Sequence, residues 1–175
     1  MICPVCNHNG NLMGAETCLW CLFDLSAIDR PVASDRVERS LMTEPVAVLK
    51  PKLPVTVTVT ATLGHVIQQM IAKQVSAVLV TDASNQLVGI LTERDFLTKV
   101  AGSAHFRDQP VELFMTRHPE AVTMMDPLAF ALGKMSAGGY RHLPVVADGE
   151  PKGIVSVRDL LRHITEMISS APDRP

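Results

Sequence analysis

The sequence predicts a mixed α/β (α+β) protein made of two copies of one β-α-β-β-α unit, preceded by a small cysteine-containing segment. Three observations support this prediction. A seven-residue pattern recurs 64 positions apart, the apolar residues around both copies repeat at matching spacing, and all four cysteines lie within the first 21 residues. A tandem pattern that keeps its register across several elements indicates an internal duplication.

The recurring pattern is Gly-Ile-Leu-Thr-Glu-Arg-Asp at 89–95 and Gly-Ile-Val-Ser-Val-Arg-Asp at 153–159. Its apolar run predicts a short buried strand that ends at Thr92 or Ser156, with Asp95 or Asp159 in the first turn of a following helix. A hydroxyl at a helix N-terminus is suited to phosphate, and a nearby carboxylate can accept hydrogen bonds from ribose. The alternative is a helix cap worth about 1 kcal/mol. Two copies in matching context favour ligand contact.

The elements of the first repeat, residues 41–102, are expected in the order strand, helix, strand, strand and helix, at 55–59, 63–71, 77–80, 87–91 and 93–100. The second repeat, residues 111–170, is expected to contain a helix that starts near Leu128 and ends at Gly138-Gly139. Strands at 143–146 and 152–157 and a last helix at 158–168 follow. The polar residues 26–40 are interpreted as a linker, with a helical turn from Ser34 or Asp35.

The cysteines form two pairs, Cys3-x-x-Cys6 and Cys18-x-x-Cys21. In a reducing compartment this spacing indicates metal binding rather than disulfides, because each turn can present two thiolates to a tetrahedral zinc ion. Residues 1–25 resemble a zinc ribbon or a rubredoxin-type pair of knuckles. The segment is too small to fold on a hydrophobic core alone, so the metal is expected to provide its folding energy.

Composition and charge exclude several functions. The formal net charge is -2, and no Lys or Arg precedes Arg30, which argues against nucleic-acid binding by the cysteine segment. No apolar run approaches a membrane span and no signal peptide is visible, so a cytoplasmic protein without membrane contact is expected. The sequence lacks a nucleophile elbow, a Gly-rich phosphate loop and any cysteine outside the two pairs, so no enzymatic activity is expected.

Each repeat resembles a cystathionine-β-synthase (CBS) domain. Besides the recurring pattern, the resemblance rests on Met42-Thr43, Met115-Thr116, Val75-Ser-Ala-Val78 and Tyr140-Arg-His-Leu-Pro-Val145. It covers about 130 residues, and it implies a paired, pseudo-twofold disc called a Bateman module. In such a module two half-sheets pack back to back with helices outside and leave two clefts.

The resemblance implies that these clefts bind an adenine nucleotide of the AMP, ADP or ATP type, with S-adenosylmethionine and NAD also among the family's ligands. It assigns Thr92, Asp95, Tyr140, Arg141 and His142 to one cleft, called here the Asp95 cleft. It assigns Ser156, Asp159, Val55, Val75, Ser76 and Ala77 to the other, called the Asp159 cleft. Positive charge is expected from Arg141 and His142 in the Asp95 cleft and from Lys50 or Lys52 in the Asp159 cleft. Arg94 and Arg158, which precede the two aspartates, are either phosphate contacts or ordinary exposed first-turn residues, and both aspartates are expected to be partly exposed.

The function expected from these observations is a regulatory adenine-nucleotide sensor without catalytic activity, which acts through an unknown effector protein. The family also implies a homodimer. The alternative is a zinc-ribbon-containing scaffold for nucleic-acid or protein interaction whose CBS clefts are empty.

Overall fold

The computed structural model describes residues 2–12, 15–25, 35–100 and 105–169. The chain divides into two compact units, Met1–Asp35 and Arg36–Pro175. Residues 26–34, which form most of the predicted linker, lie outside the described residues. The first helix begins at Arg36, inside the range interpreted as a linker.

The second unit contains alternating helices and strands. Its helices are α1 Arg36–Thr43, α2 Leu63–Lys73, α3 Glu93–Asp95, α4 Leu128–Gly138 and α5 Val157–Ser169. Its strands are β1 Thr56–Thr58, β2 Ala77–Thr81, β3 Leu87–Thr92, β4 Thr116–Arg117, β5 His142–Ala147 and β6 Glu150–Ser156. The helix predicted at 93–100 is present in two parts, because α3 continues as a π-helical turn over Phe96–Val100. The predicted mixed α/β fold is thereby confirmed.

The strands form a four-stranded sheet in the order β1-β2-β3-β4 and a two-stranded sheet of β5 and β6. Strands β1 and β2 are parallel and pair Val57 with Val80. The second repeat reduces this pairing to a single parallel bridge between Val122 and Val145. Both of these residues lie 65 positions after their counterparts, so the duplication extends to individual backbone partners.

The two repeats exchange the segments that precede their first strands, residues 44–54 and 109–119, here called the lead-in segments. Strand β4 belongs to the second lead-in segment but pairs with β3 of the first repeat. In the corresponding position of the first lead-in segment, Lys52 forms an antiparallel bridge with Ile154 of β6. The bridges Pro45–Pro127 and Thr62–Pro110 show the same reciprocal relation. A linear division of the chain at residue 102 therefore does not separate the backbone pairing into two halves.

The hydrophobic cores follow this exchange. Val46 of the first lead-in segment is fully buried in the core of the second repeat, together with Leu128 and Leu143. Val111 and Phe114 of the second lead-in segment are buried in the core of the first repeat. Full burial of such a side chain is worth about 1.5–3 kcal/mol, so the exchange contributes directly to holding the repeats together.

The glycine that opens each recurring pattern is needed because a lead-in segment packs against it. A Cβ atom at Gly89 would collide with the side chain of Met115, and one at Gly153 would lie 2.7 Å from the Cβ of Pro51. The methionine is flexible and can move, whereas the proline ring cannot. The space for a side chain is therefore more restricted at Gly153.

We expect Gly153→Ala to lower the free energy of unfolding by about 1–3 kcal/mol, because the added methyl overpacks a rigid contact. The matched control is Gly133→Ala in the interior of α4, where a Cβ would meet no atom within 4 Å. That substitution removes a helical glycine and should increase stability by up to about 1 kcal/mol. Urea denaturation of both variants measures the difference, and equal stabilities would contradict the packing argument.

Candidate functional site

The two recurring patterns place a hydroxyl and a carboxylate together at a strand-to-helix junction, as the sequence predicts. Thr92 donates to Asp95 Oδ2 from its backbone N–H over 2.8 Å and from its hydroxyl over 2.7 Å. Ser156 donates to Asp159 Oδ2 in the same way, over 2.9 and 2.6 Å. The capping interpretation is confirmed at Thr92, which forms a capping box, and at Ser156 the carboxylate of Asp159 accepts the corresponding bond from the backbone N–H. In each carboxylate the cap engages only Oδ2, so Oδ1 is available to other partners.

The second oxygen of Asp95 is already engaged. Its Oδ1 lies 2.7 Å from Lys99 Nζ and 3.4 Å from Thr116 Oγ1. Burial opposes ionisation of this carboxyl, but the bonds from Lys99 and Thr92 outweigh it and lower its pKa. The expectation that Asp95 is partly exposed is wrong, since only 8% of its surface is accessible. The reason is that the exchanged strand β4 brings Thr116 over it.

The second oxygen of Asp159 is less engaged. Its only described ionic partner is Arg162, at 3.4 Å, and the side chain of Arg162 is 57% exposed. A ligand can therefore approach Asp159 Oδ1 by moving an exposed side chain, whereas at Asp95 it must displace a close ion pair.

The Asp159 cleft has a volume of about 1090 Å³. The six residues assigned to it from the sequence all line it: Val55, Val75, Ser76, Ala77, Ser156 and Asp159. Apolar side chains of α2, including Ile67 and Met70, form another part of its wall. The cleft therefore combines an apolar wall with a hydroxyl–carboxylate pair contributed by the other repeat.

The Asp95 cleft is smaller, with a volume of about 320 Å³. The five residues assigned to it also line it: Thr92, Asp95, Tyr140, Arg141 and His142. The expected helix end at Gly138-Gly139 is confirmed, since Gly139 has the left-handed φ of 63° that a C-cap requires. The next residue, Tyr140, is 39% exposed at the rim of the cleft.

Four residues line both clefts: Ser76, Glu93, Arg141 and His142. His142 Nε2 and Ser76 Oγ lie 2.9 Å apart, which joins the two repeats by a hydrogen bond in the wall between the clefts. Burial lowers the pKa of His142, as do Arg141 and Arg158, although Glu93 and Asp159 oppose the shift. The imidazole in this wall is therefore neutral at neutral pH.

This pKa shift predicts a pH dependence of stability. The unfolded chain binds a proton at His142 near the ordinary pKa of 6.5, whereas the folded chain resists it, so stability should fall as the pH drops below about 6.5. His142→Gln retains a partner for Ser76 but does not titrate. Its melting temperature should change less between pH 7 and pH 5 than that of the unsubstituted protein. The other ionisable side chains are present in both proteins and cancel in the comparison.

The charge distribution differs from the sequence-based expectation. Arg141 and His142 line both clefts rather than the Asp95 cleft alone. Lys52 and Arg158, both considered from the sequence, line the Asp159 cleft, and Arg162 lines it too, so its positive charge is not confined to a lysine. Arg162 was missed, although its position four residues after Arg158 on a predicted helix could have shown it.

Thr116, Arg117 and His118 also line the Asp95 cleft, although they were not among the residues predicted for it. They belong to the second lead-in segment and reach this cleft only through the exchange between repeats. The internal repeat contains a signal that could have identified them. Residues 116–118 lie 65 positions after 51–53 and are therefore their counterparts, and Lys52 and Leu53 line the other cleft.

The four cysteines of the first unit form one cluster. Their Sγ atoms all lie within 4.8 Å of one another, with 3.6 Å between Cys3 and Cys21 and 3.6 Å between Cys6 and Cys18. These distances exclude S–S bonds, which are about 2.05 Å long. Four sulfurs placed 2.3 Å from a central zinc ion at the corners of a tetrahedron would be about 3.8 Å apart, which is close to the two distances of 3.6 Å. The donor set therefore fits a tetrahedral thiophilic ion.

The two cysteine pairs form matching turns. The N–H of Asn7 donates to the carbonyl of Cys3, and the N–H of Leu22 donates to the carbonyl of Cys18. Asn7 and Leu22 both adopt left-handed backbone, with φ of 55° and 58°. Burial opposes ionisation of Cys18, but backbone N–H groups of Cys21 and Trp20 help to lower its pKa to about 6. Without a metal ion the thiolate is therefore favoured at Cys18, whereas the pKa of Cys6 is raised to about 12 and that of Cys21 is also raised.

Two stretches of the chain, residues 37–102 and 111–166, match the family described as CBS domain. The chain belongs to the CBS-domain family. Paired CBS domains are in general regulatory, non-catalytic modules that bind adenosine-containing ligands. In this CBS pair the two matched stretches correspond to the two repeats that exchange lead-in segments.

Sequence relatives are matched over part of their own length. The CBS pair is 36% identical over 107 residues to an uncharacterized 17.7 kDa protein of Acidianus ambivalens. The matched region covers 61% of this chain and 64% of that protein. It is 39% identical over 116 residues to the CBS domain-containing protein CBSCBSPB5 of Arabidopsis thaliana. That matched region covers 65% of this chain but 20% of the plant protein.

Solved structures confirm the tandem CBS fold. A CBS-domain protein of Agrobacterium tumefaciens is 32% identical and superposes with a TM-score of 0.62, covering 69% of this chain and 93% of that chain. A CBS-domain protein of Pyrobaculum aerophilum, solved in complex with AMP, is 30% identical with a TM-score of 0.64. That comparison covers 73% of this chain and 99% of the other. Among the helices that the structure describes, none is long and apolar enough to cross a membrane.

Proposed function

We propose that this protein is a non-catalytic sensor of an adenine nucleotide, which binds in the clefts of the CBS pair and signals through a partner protein. The observation that supports this most is the convergence of six residues, assigned from sequence and drawn from both repeats, on one cleft of about 1090 Å³. The AMP complex of the related Pyrobaculum aerophilum protein supports the ligand class.

In the proposed complex the ribose hydroxyls donate to Asp159 Oδ1, while Oδ2 holds the Ser156 cap. The apolar side chains of Val55 and Val75 contact the adenine ring, because both line the same cleft from the opposite repeat. The phosphates are stabilised by the basic side chains around the cleft. Binding of this kind requires no chemistry from the protein, and it connects the two repeats through one ligand.

The ligand acts as a signal because it bridges the repeats. Contacts to Val55 and Ser76 in the first repeat and to Asp159 in the second favour whichever arrangement of the repeats brings both sides to the nucleotide. A ligand shifts an equilibrium only by its difference in affinity for the two arrangements, so the bridging contacts are what the signal depends on. An effector protein and a homodimeric assembly complete the proposal.

Isothermal titration calorimetry of the full chain with AMP, ADP, ATP, S-adenosylmethionine and NAD tests the sensor function. We expect micromolar binding of at least one adenine nucleotide. The absence of binding by all five compounds below millimolar concentration would rule out the sensor function and favour the scaffold.

A second candidate function, an interaction scaffold with empty clefts, is favoured by one observation. The cysteine unit exposes three large apolar side chains, Leu19, Trp20 and Leu22, at 70%, 77% and 77% of their surface. Exposed apolar residues grouped in this way are typical of protein contacts. The scaffold predicts a protein that co-purifies with the full chain and is lost on Trp20→Ser, together with no heat of nucleotide binding.

A further inference from the structure

The two clefts differ in the charge of the side chains that line them. Four cationic side chains line the Asp159 cleft, namely Lys52, Arg141, Arg158 and Arg162, against two carboxylates, Glu93 and Asp159. Three cationic side chains line the Asp95 cleft, namely Arg94, Arg117 and Arg141, against three carboxylates, Glu93, Asp95 and Glu120. The larger cleft therefore has an excess of positive charge, and the smaller cleft has none.

Three of the six charged side chains of the Asp95 cleft are also paired locally. Arg117 lies 3.3 Å from Glu112, and Glu120 pairs with Lys134. Asp95 is held by Lys99 at 2.7 Å. A phosphate or ribose that enters this cleft must therefore compete with existing ion pairs. The Lys99–Asp95 pair is the strongest competitor, because its carboxylate is buried, whereas the Arg117–Glu112 and Lys134–Glu120 pairs are more exposed and weaker.

The cations of the Asp159 cleft are more available. Within the part of the chain that the structure describes, Lys52, Arg141 and Arg158 form no ion pair, and Arg162 reaches only Asp159 at 3.4 Å. These side chains come from separate elements: Lys52 from the first lead-in segment, Arg141 from the residue before β5, and the other two from successive turns of α5. The N-terminus of α5, a helix of 13 residues, adds its positive dipole end to the same cleft.

We propose that the Asp159 cleft is specific for a nucleoside di- or triphosphate, and that the Asp95 cleft accepts at most a nucleoside or monophosphate. Each additional phosphate in the larger cleft meets a cation that has no described ion pair or, at Arg162, only a long one of 3.4 Å, so affinity increases with phosphate number. Bidentate contacts from arginine are suited to this selection. The proposal rests on the proposed nucleotide-binding function and specifies its ligand class, and the difference in volume between about 1090 and 320 Å³ agrees with it.

Calorimetry of the full chain with adenosine, AMP, ADP and ATP, at one fixed ionic strength and without added metal, tests the selectivity. We expect one site whose affinity rises at least about tenfold from AMP to ATP. Arg158→Gln and Arg162→Gln should each lower ATP affinity by about tenfold and change AMP affinity by less than about threefold, since each removes one charged hydrogen-bond donor to a terminal phosphate. The matched control is Arg117→Gln, an exposed arginine of the other cleft, which should leave ATP affinity unchanged.

The outcomes separate this proposal from the sensor function. Equal affinity for AMP and ATP, with no effect of Arg158→Gln and Arg162→Gln, would leave the sensor function intact and overturn the selectivity. If Arg117→Gln abolished ATP binding and Arg158→Gln left it unchanged, the polyphosphate would bind in the Asp95 cleft, and the proposal would be overturned. No binding of any compound would overturn both. Circular dichroism melts verify that each variant folds, which is expected because all three arginines are exposed.

Discussion

Chelation of the zinc ion that we propose for the four-cysteine cluster, or the substitution Cys18→Ser, is expected to unfold residues 1–25 while the CBS pair remains folded. The only described hydrophobic cluster of that segment consists of Cys3, Cys18 and Leu25, which is too little apolar surface to fold it alone. A structural zinc site contributes about 10–16 kcal/mol in comparable small folds, so its loss removes most of the folding energy. The CBS pair has separate cores and should keep its thermal transition.

The chain offers a convenient probe for this experiment, because Trp20 is its single tryptophan and lies between Cys18 and Cys21. Trp20 also stacks against His8, with ring centroids 6.1 Å apart. Tryptophan emission therefore follows the cysteine segment, whereas far-ultraviolet circular dichroism follows the helices of the CBS pair. His8→Ala is the control, and it should retain one zinc ion per chain by elemental analysis. Full zinc content in Cys18→Ser would contradict the four-thiolate assignment.

Asp159→Ala is expected to weaken ATP binding by about 100-fold. Two hydrogen bonds from ribose to a charged acceptor are lost, at about 1.5 kcal/mol each, which corresponds to roughly that factor. The fold should survive, because the lost Ser156 cap costs only about 1 kcal/mol. Calorimetry measures the affinity, and urea denaturation measures the stability.

Asp95→Ala is the matched comparison, and it should lower the stability of the fold more than it lowers the affinity for ATP. It leaves Lys99 without its carboxylate and removes the cap at Thr92, so its cost in stability should exceed that of Asp159→Ala. Its effect on ATP affinity should be small, since this carboxylate belongs to the smaller cleft. An equal loss of ATP affinity in both variants would contradict the assignment of the nucleotide to the Asp159 cleft.

Much of the fold was predictable because local patterns and tertiary packing agree. The apolar run of β2, the helical spacing of α2 and the glycine pair after α4 each indicate an element that the structure contains. The recurring pattern also predicted the paired hydroxyl and carboxylate at both helix starts. The domain boundaries at 41–102 and 111–170 stay a prediction, as do the homodimer and the effector protein.

The candidate site was predictable only in part. The residues of the recurring pattern were identified because their chemistry and spacing are local. Thr116, Arg117 and His118 were missed, because their place in the Asp95 cleft depends on pairing between β4 and β3, which no local pattern specifies. The distribution of Arg141 and His142 over both clefts was missed because it depends on the contact between repeats at His142 and Ser76, which is also not local.

The amino-acid sequence alone determined the duplication, the order of elements and the four-cysteine cluster, because each depends on residue types at short, regular spacing. Only the tertiary structure decided that Asp95 is buried against Lys99 while Asp159 faces a large cationic cleft. The physical reason is that two nearly identical local patterns acquire different neighbours when the repeats exchange their lead-in segments. Those neighbours, rather than the patterns, set the charge and volume available to a ligand.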